Sequence, residues 1–135
     1  MIHYKKGYKY QLAGSHIYHV DIKPPESIRA GYVHLNVAGV LWLRSGYAWD
    51  GCSGPTWDDK HNMRGGLIHD ALYQLIRLEL LPLSCKEAAD RELQKVCIED
   101  GMSRIRAWYY YQGVRLGGGK SCLPGYDPYP VLVAP

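Results

Sequence analysis

The chain has 135 residues, 47% of them apolar and 21% charged, a balance that suits one globular domain and excludes a disordered polymer. Its formal net charge of +3, spread over scattered lysines and arginines, gives no nucleic-acid footprint, so no nucleic-acid partner is expected. No apolar run approaches the roughly 20 residues that span a bilayer. Twelve Tyr and four Trp stand against no Phe, so every aromatic ring carries a polar handle suited to half-wet surfaces.

The opening MIHYKKGYKYQLAG lacks the apolar stretch of a signal peptide, and synthesis in the cytoplasm without cleavage is expected. Three parts are expected within one domain, residues 1–135: a β-rich part at 1–57, a helical part at 58–118 and an extended tail at 119–135. Ser15–Asp21 alternates, with His16, Tyr18 and Val20 on one face and Ile17 and His19 on the other. A loop carrying Pro24, Pro25 and Gly31 follows. Tyr32–Asn36 and Val40–Arg44, joined by a short Val-Ala-Gly link, read as a hairpin. His3, His16, His19 and His34 lack a repeating ligand spacing and read as surface or edge residues.

Beyond Trp57 the period becomes helical. A first helix runs from Asp58 or Asp59 to the high seventies, with Leu67, Ile68, Leu72, Leu75 and Ile76 on its inner face, and Pro82 and Leu83 break it. Ser84 and Glu87 form a capping-box signature for a second helix, Cys85 to about Glu99, which Gly101 ends. Ser103 caps a third, Arg104 to about Arg115, closed by Gly117–Gly119. The prolines at 124, 128, 130 and 135 leave the remainder without a regular element. The expected fold is α+β, with a small antiparallel sheet followed by about three helices, two of them an antiparallel pair. Cys52, Cys85, Cys97 and Cys122 form no C-x-x-C pair and read as free, mostly buried thiols.

His69 and Tyr73 are four apart and share the apolar face of the first helix. A core histidine bonded to a backbone carbonyl is the plain reading of such a position. Asp90 points to more, because it shares the row of Leu93 and Cys97 on the second helix, and a carboxylate there needs a facing donor. If the first helix ends near Arg77, His69 and Asp90 lie at matching offsets from the link and can meet. A pair through His69 Nδ1 would fix the tautomer and raise the basicity of the other ring nitrogen, the apparatus for activating water. Asp70 lies about 100° round the helix from His69, where a carboxylate facing a carbonyl-rich loop suits a hard cation such as calcium. The loop Asp50-Gly51-Cys52-Ser53-Gly54-Pro55 has suitable composition, or is a strand-to-helix turn with Asp50 as an Asx cap. Gly65-Gly66 either opens a gap for substrate or permits close packing.

The H-D-x-x-Y of His69–Tyr73, followed about twenty residues later by Ala88-Ala89-Asp90, resembles the phospholipase A2 core, closest in spacing to the short viral form. That resemblance implies His69 as base, Asp90 as its partner, Tyr73 as support of the dyad and Asp70 as calcium ligand with loop residues Asp50, Gly51, Ser53 and Gly54. Asp50–Pro55, Leu67–Tyr73, Ala89-Asp90 and Gly113–Gly118 together resemble the phage and bacterial domain of unknown function 1353 over about residues 46–118. This second likeness implies a phage or prophage origin and leaves function open. The loop and the residues before His69 lack the glycine and cysteine pattern of secreted phospholipases.

The leading expectation is a phospholipase A2-like, calcium-dependent hydrolase acting on a (phospho)lipid ester, with phospholipid or a membrane surface as partner. The alternatives are a non-enzymatic phage tail or assembly component, associated with the virion and with other phage proteins, or a lipid- or host-factor-binding module. In both, the His–Asp–Tyr cluster is a polar core. Trp42, Trp49, Trp57 and the cluster Trp108–Tyr111 offer amphipathic contact.

Overall fold

Short alternating stretches dominate the first part of the chain and long 3.6-period stretches the second, and the molecule divides accordingly. The computed structural model describes residues 2–4, 10–49, 59–126 and 132–134. It is α+β: antiparallel strands in small sheets precede three helices, two of which pack against each other. The strands are β1 (Ile2–Tyr4), β2 (Tyr10–Gln11), β3 (His16–His19), β4 (Ile28–Ala30), β5 (Val33–Leu35), β6 (Val40–Leu43), β7 (Ala48–Trp49) and β8 (Leu132–Ala134). The helices are α1 (Met63–Arg77), α2 (Lys86–Glu99) and α3 (Arg104–Gly117).

β3, β6, β5 and β4 form one four-stranded antiparallel sheet in that order. The expected hairpin is its centre, with Leu35 opposite Leu41 and Val33 opposite Leu43. Alternation decides the faces: Val33, Leu35, Leu41 and Leu43 are buried, while Ile17 and Trp42 form an exposed pair. The buried face joins Leu67, Ile68, Ala71, Leu72, Leu75 and Ile76 of α1 in one core. Leu93 and Cys97 of α2 form a second core with Met102, Ala107 and Val114. Cys97 and Cys122 are buried free thiols and Cys85 is half-buried and free, whereas Cys52 lies outside the described residues.

Several boundaries differ from the sequence reading. α1 begins at Met63 because Asp59–Asn62 is a turn, in which Asp59 Oδ1 accepts from the His61 N–H at 2.8 Å and Asn62 Oδ1 from the Asp59 N–H at 3.0 Å. The expected capping box does not form. Ser84 lies in a 3-10 turn, Leu83–Cys85, and Glu87 pairs instead with Arg91 one turn on, at 2.8 Å. β4 occupies part of the expected loop after the paired prolines, a short edge strand whose single buried apolar residue, Ile28, gives no period to read. The tail is not featureless: a 3-10 turn spans Gly119–Cys122, and β8 pairs antiparallel with β1.

Both ends of the α1–α2 pair are closed by backbone. Gly101, at φ 101°, sends its N–H to the Ile98 carbonyl while Met102 reaches Cys97, a Schellman closure of α2. Glu79 fills the same left-handed role after α1 at φ 63°. α1 therefore ends at Arg77, the condition under which His69 and Asp90 can meet. Gly65 settles the question of the Gly65-Gly66 gap toward packing, since a Cβ there would lie 2.7 Å from Cys97 Sγ. No helix among the described residues is long and apolar enough to cross a membrane.

Candidate functional site

The site is built where α1, α2 and the end of α3 converge. His69 and Tyr73 face inward from α1 because their i, i+4 spacing sets them on its apolar stripe, and their rings tilt together with centroids 4.0 Å apart. Asp90 faces them from α2 and is 0% exposed, so each lone pair needs a donor from the protein. Oδ1 accepts from His69 Nε2–H at 2.8 Å and from the Tyr73 hydroxyl at 2.5 Å. Oδ2 accepts from Lys86 Nζ and Arg115 Nη1, both at 3.0 Å.

The nitrogen that meets Asp90 is Nε2, not the Nδ1 anticipated from sequence. Nδ1 sits nearer its own helix, whereas Nε2 projects across the gap to α2. A carboxylate acceptor puts the proton on Nε2, so Nδ1 carries the lone pair. No hydrogen bond to Nδ1 is formed among the described residues.

Lys86, Arg115 and Gly118 are site residues that the sequence reading missed. Lys86 is one helical turn before Asp90, a spacing at which an ion pair is expected. Its ammonium also donates to the Val114 carbonyl at 2.8 Å, tying the carboxylate to the carboxyl end of α3. Val114, Arg115 and Gly118 all belong to the stretch Gly113–Gly118, noticed only as a family signature. A methyl at Gly118 would fall against the Tyr73 hydroxyl and 2.6 Å from the Val114 carbonyl oxygen. Gly118→Ala is therefore expected to lower stability by about 1–3 kcal/mol, measured by thermal melting, because neither the backbone nor the buried hydroxyl can retreat.

Charge in this cluster is balanced by geometry. Burial pushes the Asp90 carboxyl up, but hydrogen bonds from His69, Tyr73 and Lys86 outweigh it and hold the group down at about 2. Burial lowers His69, with Lys86 acting in the same direction and Asp90 opposing, so the ring is neutral at pH 7. Burial and the adjacent Asp90 keep Tyr73 protonated.

Both the His69 and Asp90 shifts make the fold acid-sensitive. The unfolded chain takes a proton at His69 near its ordinary 6.5 while the folded chain resists, so stability is full above 6.5 and falls as pH drops through the lowered folded value. The Asp90 contribution, about 2 kcal/mol, is present above 3.8 and lost as pH falls toward its folded value of about 2. Melting temperatures followed from about pH 7.5 to about pH 3 are expected to decline in these two windows. His69→Gln should flatten the first window, leaving the smaller share of His16, which burial also lowers.

Asp70 is half-buried beside His69 on α1 and already engaged in an interaction. Asp50, Gly51, Ser53 and Gly54, the other residues expected around a cation, lie outside the described residues. Among the described residues no cluster of three or more His, Cys, Asp or Glu is placed to hold a metal ion. The described part of the site thus offers calcium one carboxylate of the expected set.

Among the described residues the tyrosines are not gathered at this cluster. Tyr73 belongs to the cluster, and Tyr110 accepts from Arg106 and Asn62 beside the start of α1. Tyr109 points outward.

Comparison with protein-family models, with curated proteins and with solved structures finds no match to this chain.

Proposed function

We propose that the chain is a His–Asp hydrolase of the phospholipase A2 type, of phage or prophage origin, in which His69 activates water against a (phospho)lipid ester. The observation that carries this reading is the bond from His69 Nε2–H to Asp90 Oδ1, which leaves Nδ1 as the basic nitrogen of a neutral ring. In the reaction, Nδ1 takes a proton from water as its oxygen bonds to the ester carbonyl carbon. The imidazolium that forms is stabilised by Asp90 and then returns the proton to the departing alkoxide. Tyr73, Lys86 and Arg115 keep the carboxylate from rotating away from the ring. In this reading calcium, held by Asp70 with Asp50, Gly51, Ser53 and Gly54, would polarise the carbonyl.

The test is chromatographic detection of fatty acid and lysophospholipid after incubation with phosphatidylcholine–phosphatidylserine vesicles, in calcium and in chelator. Release in calcium and none in chelator is the expected result. Release that persists in chelator removes the cation from the account, and no release under either condition removes the hydrolase.

One observation favours a second reading, a non-enzymatic phage component or a binding module. Asp90 receives donors from all three helices, and Lys86 bonds it and the α3 backbone at once, an arrangement that also serves as a clasp for the helical layer. On that reading substitutions at His69 move melting temperature and leave no activity to lose.

A further inference from the structure

α3 packs on α2 through one narrow face. Ala107 and Val114 are buried, and Tyr110 and Tyr111 flank them half-buried. The opposite face is also apolar, and it is open. Ile105 is 73% exposed, Trp108 49%, Tyr109 64% and Leu116 88%. At 100° per residue these four, with Gln112 between them, fall within about 100° of arc, so they form one stripe. Trp108 and Tyr109 meet edge to face at 5.2 Å, which makes them a broad joint surface.

The charges bordering this stripe choose its occupant. Along Arg104–Gly117 there are three arginines and no acidic residue. Arg104 is exposed at one end and Lys120 is exposed just beyond the other. Arg106 is paired with Asp59 at 2.7 Å and Arg115 with Asp90 at 3.0 Å, so the cations left for a partner are Arg104 and Lys120 at the two ends. An apolar arc with Trp and Tyr, ended on both sides by a cation, matches a helix lying in the headgroup region of an anionic bilayer. A second copy of this chain fits worse, because a two-fold contact through α3 brings no acidic residue of that helix to Arg104 or Lys120.

We propose that α3 docks on a lipid bilayer bearing anionic headgroups, with Ile105, Trp108, Tyr109 and Leu116 entering the boundary between headgroups and acyl chains. Arg115, on the same helix, donates to Asp90, so the docking helix is tied directly to the His–Asp cluster. The inference deepens the hydrolase reading by naming the surface that presents the ester, and it rests on that reading only for this link.

The experiment is co-sedimentation of the full chain with vesicles of phosphatidylcholine alone and of equal parts phosphatidylcholine and phosphatidylserine. Binding to the mixed vesicles, weakened by salt, is expected, with little to phosphatidylcholine alone. The double variant Trp108→Ser, Leu116→Ser should lose about tenfold in partitioning while its melting temperature matches the wild type. His69→Gln should bind as the wild type does, so docking and hydrolysis can fail separately. The proposal is overturned if the wild type ignores mixed vesicles or the folded double variant binds them equally well. It is equally overturned if the wild type forms a dimer in solution that the double substitution dissolves.

Discussion

Asp90→Asn is expected to lower stability by about 3–5 kcal/mol, read from denaturant unfolding at pH 7. The substitution keeps the shape of the side chain and removes only its charge. Oδ1 of the asparagine can still accept from His69 and Tyr73. Its amide group, however, would turn donors toward the Lys86 ammonium and the Arg115 guanidinium, where Oδ2 now accepts from both. Lys86 is only 12% exposed at its side chain, so it cannot turn to water without leaving the Val114 carbonyl. Removing one partner of such a buried group costs far more than the pair itself contributes, because the remaining charge keeps its desolvation penalty. A loss below about 1 kcal/mol would mean that the Lys86 ammonium is solvated where the structure leaves it only 12% exposed.

His69→Gln is expected to reduce ester hydrolysis by about two to four orders of magnitude while changing stability by only about 1 kcal/mol. Glutamine is of similar length and carries an N–H that can still donate to Asp90, so the clasp among the helices survives. What it lacks is a basic nitrogen. A histidine that served the fold alone would leave no activity for the substitution to reduce. The chelator experiment and this variant address different parts of the proposed site, since the proposed proton transfer rests on His69 and Asp90 and the proposed cation on Asp70 with Asp50, Gly51, Ser53 and Gly54.

Much of this arrangement is written in local pattern. The 3.6-residue period placed His69, Tyr73 and Asp90 on inward faces, and the end of α1 at Arg77 set the offset at which they meet. Gly101 and Ser103 act in the structure as their residue types suggest, one closing α2 and the other accepting from the Arg106 N–H at the start of α3. The unread parts have physical causes. Whether Nδ1 or Nε2 faces a partner depends on how far apart two helices lie, which no spacing in one chain encodes. Arg115 and Gly118 sit about 25 residues or more beyond Asp90, so only the fold shows that one grips the carboxylate and the other makes room for the tyrosine. The terminal strands β1 and β8 are three residues each and owe their pairing to each other, a contact between chain ends that no window can see. Ser84 was misleading because a 3-10 turn satisfies the start of α2 through backbone, with the Cys85 N–H reaching the Pro82 carbonyl.

The central claim is that His69 is a neutral, Asp90-oriented base, and the pH dependence of hydrolysis tests it most directly. kcat/KM for a monomeric short-chain ester, followed from about pH 4 to about pH 9, reports the protonation of the free enzyme's base. Because burial lowers His69, activity should rise with pH along one limb whose midpoint lies below 6.5 and then stay level through neutrality. A profile without that limb, or one that His69→Gln leaves in place, would contradict it.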